Sequence, residues 1–345
     1  MRTRILIIYT GGTIGMMKDH STGTLMPMNF MKIITHLPEL NQLPCDIDSY
    51  SFKEPIDSAD MNPEKWINIA EIIEKNYDDY DGFIILHGSD TMAYTASVLS
   101  FLFENLAKPV ILTGSQLPIG EIRTDGRENI ISAVEIATGN KNGKPIIQEV
   151  CIYFEHKLFR GNRSHKFDAE QFRAFRSINY PLLANTGVYI SYNNSSIGNF
   201  NKGEFKVHKK LDDNIAILKL FPGIKQEVVQ SVFNIKGLKA VVMETYGTGN
   251  APTAKWFVDT LKKATDKGII ILNITQCKGG AVELGKYITS LAMANKNNIV
   301  SGNDITTESA VTKLMYLFGN YSNDIDKIKK LLTKSLRGEM TEYND

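Results

Sequence analysis

Short runs of β-branched and other apolar residues, each closed by glycine or a turn former, alternate in the first half of the chain with longer stretches of helical periodicity. Runs of the first kind suit strands buried on both faces, and stretches of the second suit helices laid over them. The pattern therefore predicts an α/β fold with a mostly parallel sheet flanked by helices. Strand candidates are residues 5–10, 47–52, 82–87, 109–113 and 150–154, with helix candidates at 63–77, 90–104 and 125–138. Asn62 ahead of Pro63 reads as a cap followed by the first helical residue. The rhythm then breaks into turn formers, among them Asn193, Asn194, Ser195, Ser196, Gly198 and Gly203. Beyond them come strand candidates at 215–221, 240–244 and 269–274 and helix candidates at 226–233, 253–265, 283–294, 309–318 and 324–335. The expected organisation is a larger N-terminal domain over 1–188, a linker over 189–211 and a smaller C-terminal α/β domain with a parallel sheet over 212–345.

Length supports that division, because 345 residues exceed the roughly 250–300 at which one hydrophobic core stops growing. Basic and acidic residues balance at 39 and 38, so no broad field draws in nucleic acid or an anionic membrane. The three cysteines are far apart and lack C-x-x-C spacing, which points to free thiols and to neither a disulfide framework nor a structural zinc. Residues 5–8 form an apolar run too short for a secretory signal, and no run approaches the roughly 18 residues of a membrane span. A cytoplasmic protein is the expectation.

Candidate chemistry sits where predicted strands end, which is where open α/β sheets bind ligands. The first strand runs into Thr10-Gly-Gly-Thr-Ile-Gly15. Adjacent glycines allow a tight turn and close backbone approach, Thr13 would hold a hydroxyl at the crevice, and nearby amides could face a developing oxyanion. A plain connection or a phosphate cradle are the alternatives, although neither the Walker nor the G-x-G-x-x-G spacing is present. The third strand ends in His87-Gly-Ser-Asp-Thr-Met92, where Ser89 and Asp90 offer a hydroxyl and a carboxylate at the start of a helix. They suit catalysis or simple N-capping equally, and His87 reads as structural. Lys166, in Arg160-Gly-Asn-Arg-Ser-His-Lys166, can exchange protons with those groups if it lies beside them, or be a solvated surface lysine if it does not. Asp57 and Ser58 can meet the ammonium and carboxylate of a zwitterion, or cap the helix that starts at Pro63.

Together with Thr113-Gly-Ser-Gln116, Asn273-Ile-Thr-Gln-Cys277, Tyr246-Gly-x-Gly-Asn-Ala-Pro252 and Leu336-Arg-Gly-Glu339, these segments resemble the bacterial-type L-asparaginase family, in its cytoplasmic type I branch. The resemblance implies an amidohydrolase that converts L-asparagine to L-aspartate and ammonia through an acyl-enzyme ester on Thr13, without metal or organic cofactor. It implies that Ser89, Asp90 and Lys166 form a second catalytic group. It further implies that Asp57 and Ser58 hold the substrate's α-ammonium and α-carboxylate with Asp90, and that Gly12, Gly88 and Ser115 complete the binding site. Many relatives carry threonine where this chain has Ser89, and a catalytic tyrosine in the loop after the nucleophile, where residues 16–30 have none. Tyr287, from the smaller domain of a neighbouring subunit, matches the tyrosine that serves instead in part of the family. A homotetramer built as a dimer of dimers follows from the same resemblance. Glu244 stands where an allosterically activated member presents a basic residue, so activation by asparagine is not expected.

Overall fold

The computed structural model describes residues 2–18, 25–27, 37–283, 299–322 and 324–342. The chain forms two compact units, Met1–Lys209 and Lys210–Asp345.

The first unit is built on an eight-stranded sheet of β1 (Thr3–Tyr9), β2 (Cys45–Ser51), β3 (Gly82–Leu86), β4 (Val110–Thr113), β5 (Val150–Phe154), β6 (Lys157–Arg160), β7 (Ala184–Thr186) and β8 (Ile190–Tyr192). Its spatial order is β8-β7-β6-β5-β4-β3-β1-β2. The five strands from β2 through β5 in that order pair parallel, and β5 through β8 pair antiparallel. Helices α1 (Pro63–Lys75), α2 (Met92–Leu102) and α3 (Gly126–Thr138) cross between the parallel strands. All five residues of β3 are buried, as a continuous apolar run in the middle of a parallel sheet requires. Every residue of α2 except Tyr94 is also buried, the hydroxyl residues Thr95, Ser97 and Ser100 included, so this helix lies inside the unit. Asn62 caps α1 by accepting from Lys65 N at 3.0 Å.

The antiparallel strands were not anticipated from the sequence. Register pairs Phe154 with Lys157, so a two-residue turn at Glu155 and His156 reverses the chain. Both have positive φ, 46° and 60°, the geometry of a hairpin turn usually announced by Asn-Gly. Residues 189–211, expected to link the domains, carry β8 at the edge of the large sheet, and Lys206–Val207 pairs antiparallel with Phe103–Glu104. Arg160 binds this stretch to the sheet: it pairs with Glu149 at 2.6 Å, with both side chains about 95% buried, and donates to Ser196 O at 3.0 Å.

The second unit holds a parallel four-stranded sheet, β9 (Ile215–Lys219), β10 (Ala240–Thr245), β11 (Ile270–Thr275) and β12 (Ile299–Ser301), in sequential order. Among the described residues its helices are α4 (Gln226–Phe233), α5 (Lys255–Asp266), α6 (Thr307–Tyr321) and α7 (Ile325–Leu332). Lys313 of α6 and Glu339 form a fully buried ion pair at 2.7 Å. The helix expected at 283–294 falls outside the described residues from 284 onward. Among the described residues, no helix is long and apolar enough to cross a membrane.

Candidate active site

Parallel register sets the site. Tyr9 lies opposite Leu86 and Leu86 opposite Thr113, so β1, β3 and β4 end at one level on one edge of the sheet. Thr10 fastens the first two ends, its N and Oγ1 both donating to Leu86 O at 3.0 and 2.9 Å. His87 N donates to Thr113 O at 2.9 Å and fastens the second and third.

Beyond those ends the loops press backbone against backbone. Gly12 has φ of 90°, and a Cβ there would meet Gly88 N at 2.5 Å. A Cβ on Gly88 would meet Ser58 Oγ at 2.6 Å. Real Cβ contacts that short do not occur, so only glycine at both positions lets the loops after β1, β2 and β3 converge. Thr13 opens the short 3-10 turn Thr13–Gly15 and is half-buried. Ser58 is buried, and Thr91 Oγ1 donates to Ser58 O at 2.7 Å, joining the loop after β2 to the start of α2.

Lys166 belongs to the same cluster. It sits on the two-residue strand His165–Lys166, paired with Phe175–Arg176. Its ammonium donates to Ser89 Oγ at 2.8 Å and to Asp90 Oδ1 at 2.5 Å. The lysine side chain is 17% exposed and that of Asp90 68% exposed, so the amine is held under a carboxylate that still faces solvent. This decides the capping question left open by the sequence. The N-cap of α2 is Thr91, without a side-chain cap bond, and the Ser89 and Asp90 side chains go to Lys166. Asp57 does cap locally: its Oδ1 accepts from Ala59 N at 2.9 Å at the head of the turn Ser58–Asp60, and its side chain lies at an exposed position. Ser115 is buried and donates to Leu117 O at 2.5 Å. Tyr287 lies outside the described residues.

Two neighbours carry more than the sequence suggested. His87 is fully buried, and burial lowers its pKa to about 4 despite the opposing hydrogen bond to Gly88. Gly88 O can only accept, so the neutral ring carries its proton on Nδ1 and donates there at 2.7 Å. Its Nε2 then accepts from Thr95 Oγ1 at 2.9 Å, which in turn accepts from Trp66 Nε1 at 2.9 Å. Gln116, the last residue of the segment Thr113-Gly-Ser-Gln116, places its carboxamide beside Ser89. Among the described residues, no group of three or more His, Cys, Asp or Glu side chains could hold a metal ion.

A threonine hydroxyl on a glycine turn, a second hydroxyl with a carboxylate and an ammonium, and two more polar groups on a third loop suit nucleophilic attack on a small zwitterion. Comparison with known proteins points the same way. Residues 4–198 match the family model described as Asparaginase, N-terminal, and residues 214–332 that of the Glutaminase/Asparaginase C-terminal domain. The chain is 41% identical over 339 residues to L-asparaginase 1 of Escherichia coli strain K12, covering 98% of each. It is 42% identical over 362 residues to a 60 kDa lysophospholipase of Mus musculus, covering 98% of this chain and 62% of that protein. The crystal structure of L-asparaginase I from Vibrio cholerae superposes with a TM-score of 0.89 at 40% identity, covering 99% of this chain and all of that one.

Proposed function

This chain belongs to the asparaginase family, and from that membership and the contacts of Lys166 we propose that it hydrolyses L-asparagine to L-aspartate and ammonia. Thr13 Oγ1 attacks the carboxamide carbon, its proton leaves with the departing nitrogen as ammonia, and an acyl-enzyme ester remains. Water then attacks the ester carbon, restoring the Thr13 hydroxyl and releasing aspartate, so the reaction balances with water as the only co-substrate. Ser89, Asp90 and Lys166 pass the protons that these steps require. Asp57 and Asp90 receive the α-ammonium and Ser58 the α-carboxylate, with Gly12, Gly88 and Ser115 shaping the walls. Tyr287, supplied by a neighbouring subunit of a cytoplasmic homotetramer, completes the first catalytic group.

The observation that carries the reading is the pair of hydrogen bonds from Lys166, at 2.8 Å to Ser89 and 2.5 Å to Asp90, across more than seventy residues of sequence. A lysine serving only solubility has no reason to be held there. Ammonia release from asparagine and glutamine, measured over a wide concentration range for the wild type and Thr13→Ala, tests it. Loss of turnover in T13A with unchanged fold and subunit number is expected. Retained turnover would remove Thr13 as the nucleophile.

A further inference from the structure

Serine has no β-branch, so the rotamer of Ser89 is set by what its hydroxyl binds. The Lys166 ammonium is a donor only and donates a hydrogen bond to Ser89 Oγ at 2.8 Å, which leaves the hydroxyl's own hydrogen to be placed elsewhere. Gln116 Oε1 stands 3.4 Å away and accepts it. The end of the carboxamide that faces Ser89 is fixed by its other contacts. Gln116 Nε2 donates to Ala169 O at 3.2 Å and to Gln171 O at 3.0 Å, so the nitrogen is used up and the oxygen is left toward the serine.

The backbone beneath this side chain is equally tied. Gln116 N donates to both carboxylate oxygens of Asp125 at 3.0 Å, and Asp125 also accepts from Leu117 N and Asn129 Nδ2, each at 3.2 Å. Gln116 thus spans the loop after β4, the serine at the head of α2 and the segment just past Lys166. A separation of 3.4 Å is long for an O–H···O bond, and such bonds in unliganded sites shorten when substrate fills them.

We propose that Gln116 is a positioning residue for Ser89, its carboxamide oxygen holding the hydroxyl in the rotamer that turns its lone pairs toward Lys166. It does for a serine by hydrogen bonding what a β-methyl does for a threonine by steric restriction. The inference rests on the reading of Thr13, Ser89, Asp90 and Lys166 as the acting groups.

A double-mutant cycle on the full chain tests it, using asparagine turnover in the wild type, Q116M, S89T and Q116M/S89T. Methionine keeps the length and volume of glutamine but has neither its amide donors nor its oxygen. Loss of one hydroxyl–carbonyl hydrogen bond corresponds to about threefold to tenfold. That fall in kcat is expected when Q116M is introduced into the wild type, with KM nearly unchanged. In the S89T background the added methyl restricts χ1, and the same substitution should lower kcat by less than about twofold. Equal losses in the two backgrounds would mean that Gln116 only holds the carbonyls of Ala169 and Gln171, and would overturn the proposal. An unchanged kcat in Q116M would do the same. If Q116M does not fold, Q116A is expected to show the same dependence on background. T13A run alongside separates the two ideas: turnover surviving in T13A sinks the catalytic reading itself, whereas a dead T13A with an uncoupled cycle sinks only the role of Gln116.

Discussion

Replacing Lys166 by methionine removes the amine while keeping the length of the side chain, and stability and rate should respond on different scales. The ion pair with Asp90 is open to water on the carboxylate side, where 68% of the side chain is exposed. Such pairs contribute about 0.2–1 kcal/mol to folding. For a unit of this size that lowers the thermal midpoint by no more than about 4 °C. Proton transfer by a positioned side chain contributes on the order of 100-fold to 10,000-fold, about 2.7–5.5 kcal/mol of transition-state stabilisation. K166M is therefore expected to unfold nearly where the wild type does and to release ammonia from asparagine at least about 100-fold more slowly at saturation. Thermal unfolding by circular dichroism and coupled ammonia release measure the two quantities on one preparation. A kcat within tenfold of the wild type would return Lys166 to the status of a surface lysine, and a midpoint lowered by tens of degrees would show that its role is architectural.

Gly12→Ala puts a methyl 2.5 Å from Gly88 N at a φ of 90°, so it should abolish turnover, with asparagine binding by calorimetry lost as well. Binding at wild-type affinity would show that the loops can part without harm. His87 has its folded-state pKa depressed from 6.5 to about 4 by burial, so the unfolded chain binds the extra proton between those values. Its contribution, about 3 kcal/mol, is complete above pH 6.5 and is lost as pH falls toward 4. Urea unfolding at several pH values in that window should accordingly show a flatter pH dependence for His87→Asn than for the wild type, and parallel curves would refute the assignment. Lys313→Met strands the fully buried Glu339 without a counter-charge and should destabilise the second unit by about 3–5 kcal/mol. Most of that loss should return in K313M/E339Q, and denaturant titration of both variants decides it.

Much of the fold was legible because parallel strands and their covering helices write their periods into the sequence. Residues 150–154 and 226–233 emerge as the elements expected there, and most other boundaries move by one to three residues. Helix α2 starts two residues later than its periodicity suggests, because Ser89 and Asp90 turn aside to Lys166. The antiparallel half was hidden for a physical reason. Glu155 and His156 adopt left-handed backbone without glycine or asparagine, so no turn signal precedes β6. The polar stretch after residue 189 reads as a linker because its anchoring comes from Arg160 and Glu149, far away in sequence. At the site, residue types and their placement at strand ends pointed to Thr13, Ser89 and Asp90, while Lys166 stood out as a basic candidate whose neighbours no spacing could fix, so the resemblance alone set it against a surface lysine. Gln116 stayed unassigned because a glutamine's role depends on which end of its amide faces which neighbour, and no spacing rule encodes that.

The amine on residue 166 reaches its carboxylate across 76 positions of chain, and this separation bears on when that contact can first form during synthesis. Ribosomes add roughly 5–20 residues per second, so about 4–15 seconds pass between synthesis of Asp90 and of the lysine that meets it. Over that interval the nascent polypeptide has the serine and the carboxylate of that cluster but not the amine that binds both. The contact itself can form only once the hairpin bearing the lysine has cleared the exit tunnel, well after both of its partners have emerged.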